Sequence, residues 1–381
     1  MSVQIVETAG TVEQEPTATP VDGAAVLDEL SNWIEEYYWF PQGRPAYDAV
    51  AAWVAATRFV DVLQFAPPLV LRSPTPGCGK TLLLDLIRHA VRHGILTSGL
   101  GITPATAFRL NESLRPTYLI DEAEKLATRR AGGELIDFIN LGHRRGGSVL
   151  RMRETDHGNR EPEVFDVYGF RALATTRDLW STIMDRAVAP RLDKKPRELQ
   201  RRRWKATEAE AEAKHFAERL EAWAAENADA VEAAQHETPR PEWLGDRACD
   251  NWSPLLAVGL VAGGGWSERL LDAARVLTED AAHMNYEVLI LDDIRAVFSD
   301  HGYPEAILSG KLVKALNELE TSPWGDERRG QGISTNGLCK RMKSFNVVPR
   351  SGRVDGGSGE NVRGYWLEDL SPVFDSYLEL E

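Results

Sequence analysis

The stretch Ser73-Pro74-Thr75-Pro76-Gly77-Cys78-Gly79-Lys80-Thr81 constrains this chain more than any other. It follows a short apolar run, Leu69-Val70-Leu71, which Pro67-Pro68 introduces, and it opens a helical pattern starting at Gly79 or Lys80. A buried parallel strand, a glycine-rich turn and a helix in that order describe a P-loop. Glycines let backbone N–H groups close around phosphate oxygens, and the helix N-terminus adds a favourable dipole. Gly77, Cys78, Gly79, Lys80 and Thr81 are therefore the expected phosphate-binding set for ATP. Lys80 would reach the β- and γ-phosphates, and the Thr81 hydroxyl would sit on Mg2+. Pro74 stands where the usual pattern has its first glycine, so the start of the loop must differ somewhat. Cys78 reads as a small residue that fits the loop, with oxidation control of the loop as the alternative.

About forty residues later, Thr117-Tyr118-Leu119-Ile120-Asp121-Glu122 is an apolar strand ending in two carboxylates, as a Walker B element requires. Asp121 would hold Mg2+ through its water shell, and Glu122 could act as general base on the attacking water. Arg171 to Thr176 reads as a further strand that delivers Thr175 or Thr176 beside the γ-phosphate; two threonines at an ordinary strand end are the alternative. In Met184-Asp185-Arg186, Arg186 is the candidate arginine finger offered to a neighbouring subunit, against a structural Asp185 to Arg186 pair. With Ile95 to Thr97 and Val149 to Met152, these strands alternate with helical patterns, which predicts an α/β fold built on a parallel sheet.

The chain has 381 residues, room for two or three domains. Residues 1–22 lack periodicity and any apolar leader, and are expected to be a disordered tail. Residues 23–193 form the expected ATPase core with a helical lead-in, in which Leu27, Leu30, Trp33 and Ile34 recur at helical spacing. Residues 194–284 suggest a helical lid. It opens on a basic run (Lys194, Lys195, Arg197, Arg201, Arg202, Arg203, Lys205) and turns acidic, with helical spacing expected from Lys194 to about Gln235. A solvated long helix, a helical hairpin and a dedicated interaction arm all fit that pattern. Residues 285–381 read differently. Helical patterns at Leu289 to Ser299, Lys311 to Leu319 and Thr335 to Phe345 precede two extended stretches joined by Asp355-Gly356-Gly357-Ser358-Gly359, which suggests a winged helix.

The blocks Arg115 to Glu124, Asn140 to Gly147 and Asp185-Arg186 resemble a family of phage- and plasmid-associated primase-helicase-like ATPases, catalogued as a domain of unknown function. Asp246-Arg247, Asp250 to Leu256 and Arg363-Gly364-Tyr365-Trp366 are similar to the same family, so the resemblance runs from about residue 35 to the C-terminus. It implies an AAA+-like ATPase near superfamily 3 helicases that works as a homo-oligomeric ring in the replication of a mobile element, with a primase or other replication partner. No primase module is visible in this chain, so primer synthesis is not expected of it.

Charge bears on the nucleic-acid question. Lys and Arg number 44 against 58 Asp and Glu, a formal net charge of -14, so uniform coating of nucleic acid is excluded and only local basic patches can serve. One candidate is a hairpin built from Val149 to Arg153 and Val164 to Gly169, with His157, Asn159 and Arg160 at its tip; Arg151, Arg153 and Arg160 could grip backbone phosphates. A surface loop whose arginines pair with Glu154, Asp156 and Glu161 is the alternative. Arg144 and Arg145 could act at a subunit interface or simply complement a helix C-terminus. Between Arg328 and Arg363 eight basic residues face only Asp355 and Glu360, and Lys340, Arg341, Lys343, Arg350 and Arg353 are expected DNA contacts, unless the winged helix docks protein instead. No run of about 18 apolar residues is present to cross a bilayer, and three scattered cysteines suggest a reducing cytoplasm. The expected function is an ATP-hydrolysing, helicase-like, DNA-processing ATPase. An ATP-controlled initiator, loader or DNA-binding regulator without unwinding is the alternative, and an ATPase degenerate at Pro74 is a third.

Overall fold

A computed structural model of the chain describes residues 20–73, 77–128, 132–154, 160–175, 179–196, 198–283, 286–319, 322–353 and 361–378. The lead-in is two helices, α1 (Gly23–Tyr37) and α2 (Arg44–Ala56). Asp22 caps α1 by accepting from the Ala25 amide at 3.1 Å, and Pro45 sits in the first turn of α2, where its missing N–H costs nothing. Every residue of α2 from Ala46 to Ala56 is buried, so this helix is an internal rod rather than a surface one.

Four short parallel strands follow the lead-in. They are β1 (Leu69–Arg72), β2 (Ile95–Ser98), β3 (Tyr118–Asp121) and, after an antiparallel hairpin of β4 (Ser148–Glu154) and β5 (Arg160–Asp166), β6 (Arg171–Thr175). Between them run α3 (Lys80–Arg88), α4 (Pro104–Leu114) and α5 (Gly132–Leu141), and α6 (Ser181–Met184) follows β6. The sheet order is β1-β6-β3-β2, and parallel bridges Leu69 to Val188 and Arg72 to Arg191 add a further edge beside β1. Both faces of the sheet are covered. Leu69, Leu71, Leu119, Ala172 and Ala174 join one apolar cluster with the lead-in helices. The alternate residues Val70, Tyr118, Ile120 and Leu173 join another with Phe108 and Phe138. That two-sided burial is why the strands read as unbroken apolar runs.

The next helices are α7 (Ala206–Ala234), α8 (Asp246–Ala262) and α9 (Trp266–His283). They share the cluster of α1 and α2: Trp33 meets Phe216 with ring centroids 5.4 Å apart, and Phe59 meets Trp223 at 5.2 Å. The segment before α7 differs from the helix expected at Lys194. Its described residues are irregular, with a turn in which the Leu199 amide donates to the Pro196 carbonyl at 3.2 Å, and the helix starts only at Ala206. Pro196 opposes a helix there. Tertiary partners complete the effect: the Arg202 amide donates to the Glu36 carbonyl at 2.7 Å, and its guanidinium forks onto both Glu212 oxygens at 2.7 and 3.0 Å. Within the basic run, Arg201 and Arg202 thus tie this segment to α1 and α7.

Glu212 also accepts from Trp33 Nε1 at 2.6 Å and the Tyr37 hydroxyl at 3.1 Å. Burial pushes its carboxyl up, but the hydrogen bonds from Arg202, Trp33 and Tyr37 outweigh burial and hold it below the usual 4.5. A carboxylate lowered in the fold stabilises it above the unfolded value, and that contribution is lost as pH falls through the folded value. In Glu212→Gln, the melting temperature should therefore drop about 2 °C at pH 7, because exposure screens the pair, and the gap to wild type should close below pH 4.5. A pH-independent gap in thermal melts would refute this.

The C-terminal part has its own apolar cluster, centred on Ile294, Leu312, Trp324, Leu338 and Tyr365. It contains α10 (Tyr286–Asp300), β7 (Ala306–Leu308), α11 (Ser309–Glu318), α12 (Glu327–Gly330), α13 (Thr335–Met342), β8 (Arg350–Arg353), β9 (Asn361–Trp366) and α14 (Leu367–Tyr377). The strands form an antiparallel sheet in the order β7-β9-β8. The glycine-rich turn expected at 355–359 lies outside the described residues, as do residues 1–19 of the expected tail.

Candidate functional site

The turn between β1 and α3 is built by two glycines at positive φ, Gly77 at 82° and Gly79 at 77°, a region closed to most side chains. Among the described residues, a Cβ at Gly77 would meet nothing within 4 Å. Cys78 between them is buried, with Sγ 2.8 Å from the Ser73 hydroxyl. Its carbonyl accepts from the Tyr38 hydroxyl at 2.6 Å. Pro74 lies outside the described residues. Lys80 begins α3 and is half-buried; burial lowers its ammonium pKa, while Cys78, Glu124 and Asp121 act in the opposite sense.

Thr81 and Asp121, forty residues apart in sequence, meet here: the Thr81 hydroxyl donates to Asp121 Oδ2 at 2.7 Å. Asp121 is the last residue of β3, and its other carboxylate oxygen accepts from the Glu122 amide at 2.8 Å. Glu122 has φ of 52°, an uncommon conformation for a non-glycine residue, and its exposed carboxylate pairs with Lys125. Because β6 lies between β1 and β3, its C-terminal end falls between the turn and the two carboxylates. Thr175 there is buried, and its carbonyl accepts from the Ser73 amide at 3.3 Å. Thr176 lies outside the described residues.

These residues fit a nucleotide with its metal. Two side-chain-free positions at a helix N-terminus, an ammonium beside them and a paired hydroxyl and carboxylate give an anion cradle next to hard oxygen donors suited to Mg2+.

Arg186 is elsewhere. Val188 pairs with Leu69 at the N-terminal end of β1, so Arg186 sits at the end of the sheet opposite the glycine turn, about 10 Å of strand away. Its guanidinium donates to the Thr182 carbonyl, while its Nε is buried with no hydrogen-bond partner among the described residues. Asp185 pairs instead with Arg247 of α8 at 3.1 Å, and the Asn251 amide donates to the Asp185 carbonyl at 2.9 Å. Arg145 lies at the same end, donating to the Leu63 and Val60 carbonyls, and Arg144 stacks over Phe65. Arg171, fully buried, donates to the carbonyls of Gly142, Val167 and Gly169 and lies 4.0 Å over Phe138. It staples the base of the β4–β5 hairpin to the sheet, and burial lowers its pKa to about 10.

A hairpin forms with its first strand where expected, but its second strand is Arg160–Asp166 rather than Val164 to Gly169, so Arg160 lies in the ladder opposite Glu154 and not at the tip. Arg151 is tied to Glu134 at 3.1 Å and covers Phe108, while Leu150, Met152 and Val164 are exposed on its other face. Arg153 opposes Glu161 and Arg160 opposes Glu154 in the backbone register; the tip residues 155–159 lie outside the described residues. In the C-terminal part, Arg341 pairs with Glu327 at 2.6 Å and covers Trp324, and Arg350 pairs with Glu368 and Asp369 and covers Trp366. These two side chains hold the fold together. Lys340, Lys343 and Arg353 are exposed, and Arg363 shares an exposed strand face with Arg353 and Ser351. The Tyr38 contact with the turn carried no sequence signal, since no motif joins a helix end to a carbonyl forty residues away.

A family profile described as "Protein of unknown function (DUF3631)" matches residues 191–377. An "Uncharacterized 28.9 kDa protein in xis 5'region" of Saccharopolyspora erythraea is 32% identical over 153 residues, covering 39% of this chain and 54% of that protein. The chain therefore spans about half the length of this relative. Among solved structures, one titled an active helicase, SCCmec type IV Cch, is 10% identical with a TM-score of 0.40, over 94% of this chain and 75% of that one. The apo C-terminal region of NrS-1 is 12% identical with a TM-score of 0.31, over 91% and 78%. A mutant RuvB of Thermotoga maritima is 16% identical with a TM-score of 0.29, over 90% and 97%. At these scores the likenesses carry no functional argument. Among the described residues no helix is long and apolar enough to cross a membrane.

Proposed function

We propose that this chain binds ATP with Mg2+ at the glycine turn and hydrolyses it to drive work on DNA. The observation that carries the reading is the 2.7 Å contact between the Thr81 hydroxyl and Asp121, which joins two distant sequence elements beside a positive-φ glycine turn. Gly77, Cys78, Gly79 and Lys80 hold the phosphates, and Thr81 and Asp121 hold the metal. Mg2+, when bound, offsets charge on the phosphate oxygens. Glu122 accepts a proton from the attacking water, and Thr176 orients that water. Arg186, at the far end of the sheet from its own chain's nucleotide, acts on a neighbouring subunit's site in a homo-oligomer, and a ring accommodates that geometry.

The C-terminal unit is read as a winged helix in which α13 and the β8–β9 ribbon meet duplex DNA. The order α10, β7, α11, α13, β8, β9 and the exposed Lys340, Lys343, Arg353 and Arg363 support it. On this reading 23–193 is the ATPase core, 194–284 a lid and 285–381 the DNA module of a cytoplasmic, phage or mobile-element replication ATPase that works beside a primase. The test is ATPase activity with and without single- and double-stranded DNA, with mass measured with and without ATP. DNA-stimulated turnover is expected. Replacing Lys340, Lys343, Arg353 and Arg363 together by Ala should lower duplex affinity and reduce the slope of log K against log salt by about 3 to 4, near 0.9 per lost phosphate contact. An unchanged slope would remove DNA from this face.

A loader or regulator that uses the same nucleotide site without strand separation is the second reading. The internal pairing of Arg151, and the apolar exposed face of its hairpin, favour it over a basic translocating hairpin. Unwinding of forked DNA separates the two.

A further inference from the structure

The peptide between Cys78 and Gly79 poses a structural question. Gly79 has φ of 77°, and glycine tolerates either sign of φ, so this peptide can flip at little steric cost. A trans peptide points its C=O and N–H in opposite directions, and the described chain has no cis bonds. A flip would therefore exchange an N–H for a carbonyl on the phosphate side of the loop, replacing a favourable contact with a repulsive one. Something must select the orientation.

Tyr38 is in place to do so. It is the C-cap residue of α1 and 3% exposed, and its hydroxyl donates to the Cys78 carbonyl at 2.6 Å. Its ring lies 3.0 Å from where a Cβ on Gly79 would stand, so it closes that side of the loop sterically as well. The residue is itself fixed: its amide donates to the Ile34 carbonyl at 2.9 Å, its carbonyl accepts from the Tyr47 hydroxyl at 3.2 Å, and its ring packs on Phe40 with centroids 4.8 Å apart. Burial raises its phenol pKa, so it stays a donor across the working pH range.

We propose that Tyr38 is a positioning residue for nucleotide phosphate binding, holding the Cys78 carbonyl outward so that the Gly79 amide faces the phosphates. This rests on the ATP reading of the turn. An amide on a phosphate that is bound in both ground and transition states affects affinity more than turnover.

The experiment compares wild type with Tyr38→Phe, Tyr47→Phe and Lys80→Ala, measuring Kd for Mg-ATP and Mg-ADP, KM and kcat. Tyr38→Phe keeps the ring against Gly79 and Phe40 and removes one oxygen, so the fold is retained. The expected result is a rise of about tenfold in Kd and KM with kcat within threefold, while Tyr47→Phe, which loses its hydrogen bonds to the Phe40 amide, the Tyr38 carbonyl and Arg201 but leaves the Tyr38 hydroxyl on the loop, shows a clearly smaller rise, within about threefold of wild type. If wild type binds ATP, Lys80→Ala does not and Tyr38→Phe matches wild type, this proposal falls and the nucleotide site stands. Equal losses in Tyr38→Phe and Tyr47→Phe would overturn it too, as general loosening of the turn. No ATP binding by wild type would overturn both readings.

Discussion

Lys80→Ala is expected to abolish turnover and weaken ATP binding at least 100-fold. The ammonium lies at the start of α3, half-buried beside Asp121 and Glu124, so its charge acts where water screens it poorly. Burial lowers its pKa, which means the protein spends folding stability to keep a cation there without a nucleotide; a bound triphosphate would restore what burial takes away. Alanine removes the charge and leaves the glycine turn intact. Two measurements decide the matter: titration with a fluorescent ATP analogue and a coupled phosphate-release assay. Wild-type values in both would sink the nucleotide assignment. The apo Lys80→Ala protein should melt at or slightly above the wild-type temperature, because a partly desolvated charge has gone.

Glu122→Gln should separate binding from chemistry. The substitution keeps shape and backbone, including the positive φ that follows β3, but removes a proton acceptor. Loss of a general base costs about 100-fold to 10,000-fold in rate. Phosphate release should fall by that range while Kd for ATP stays within about threefold, so the variant should accumulate with uncleaved nucleotide. The variant also loses the ion pair with Lys125, and Lys125→Ala separates the two effects: it should retain most of the activity if proton transfer, rather than the pair, is what Glu122 supplies. A Glu122→Gln enzyme at wild-type rate would move the base to another residue.

Most of the sheet was legible because its strands are four or five residues of apolar sequence between turn-forming residues. Leu69 to Leu71, Tyr118 to Ile120 and Arg171 to Thr175 carry that signature, and burial on both faces is its cause. The meeting of Thr81 with Asp121 was legible too, since each element announces its chemistry locally. Other features depend on distant partners. Residues 198–205 carry the helix-friendly charges of the run that follows, yet Arg202 is held outside that helix by Glu36 of α1 and Glu212 of α7. Arg341 and Arg350 looked like free phosphate contacts because their carboxylate partners lie 14 and 18 or 19 residues away in sequence. Strand β7 and helix α14 went unread: three residues give too short a pattern, and Pro372 interrupts the second. Tyr38 is the extreme case, a hydroxyl whose partner is a backbone carbonyl and so leaves no residue type to search for.

The shared cluster of α1, α2 and α7 to α9 bears on how this sequence can be cut. The family profile begins at residue 191, in the strand-like edge just ahead of the segment that Arg202 ties to α1 and α7, and takes in α7 to α9 without the helices they bury against. A fragment starting there would carry the C-terminal cluster whole but expose the apolar flanks that Trp33, Phe59 and the buried rod of α2 normally cover, a large sticky surface in water. The stretch the profile matches and the stretch that folds around one core are therefore different lengths of this chain.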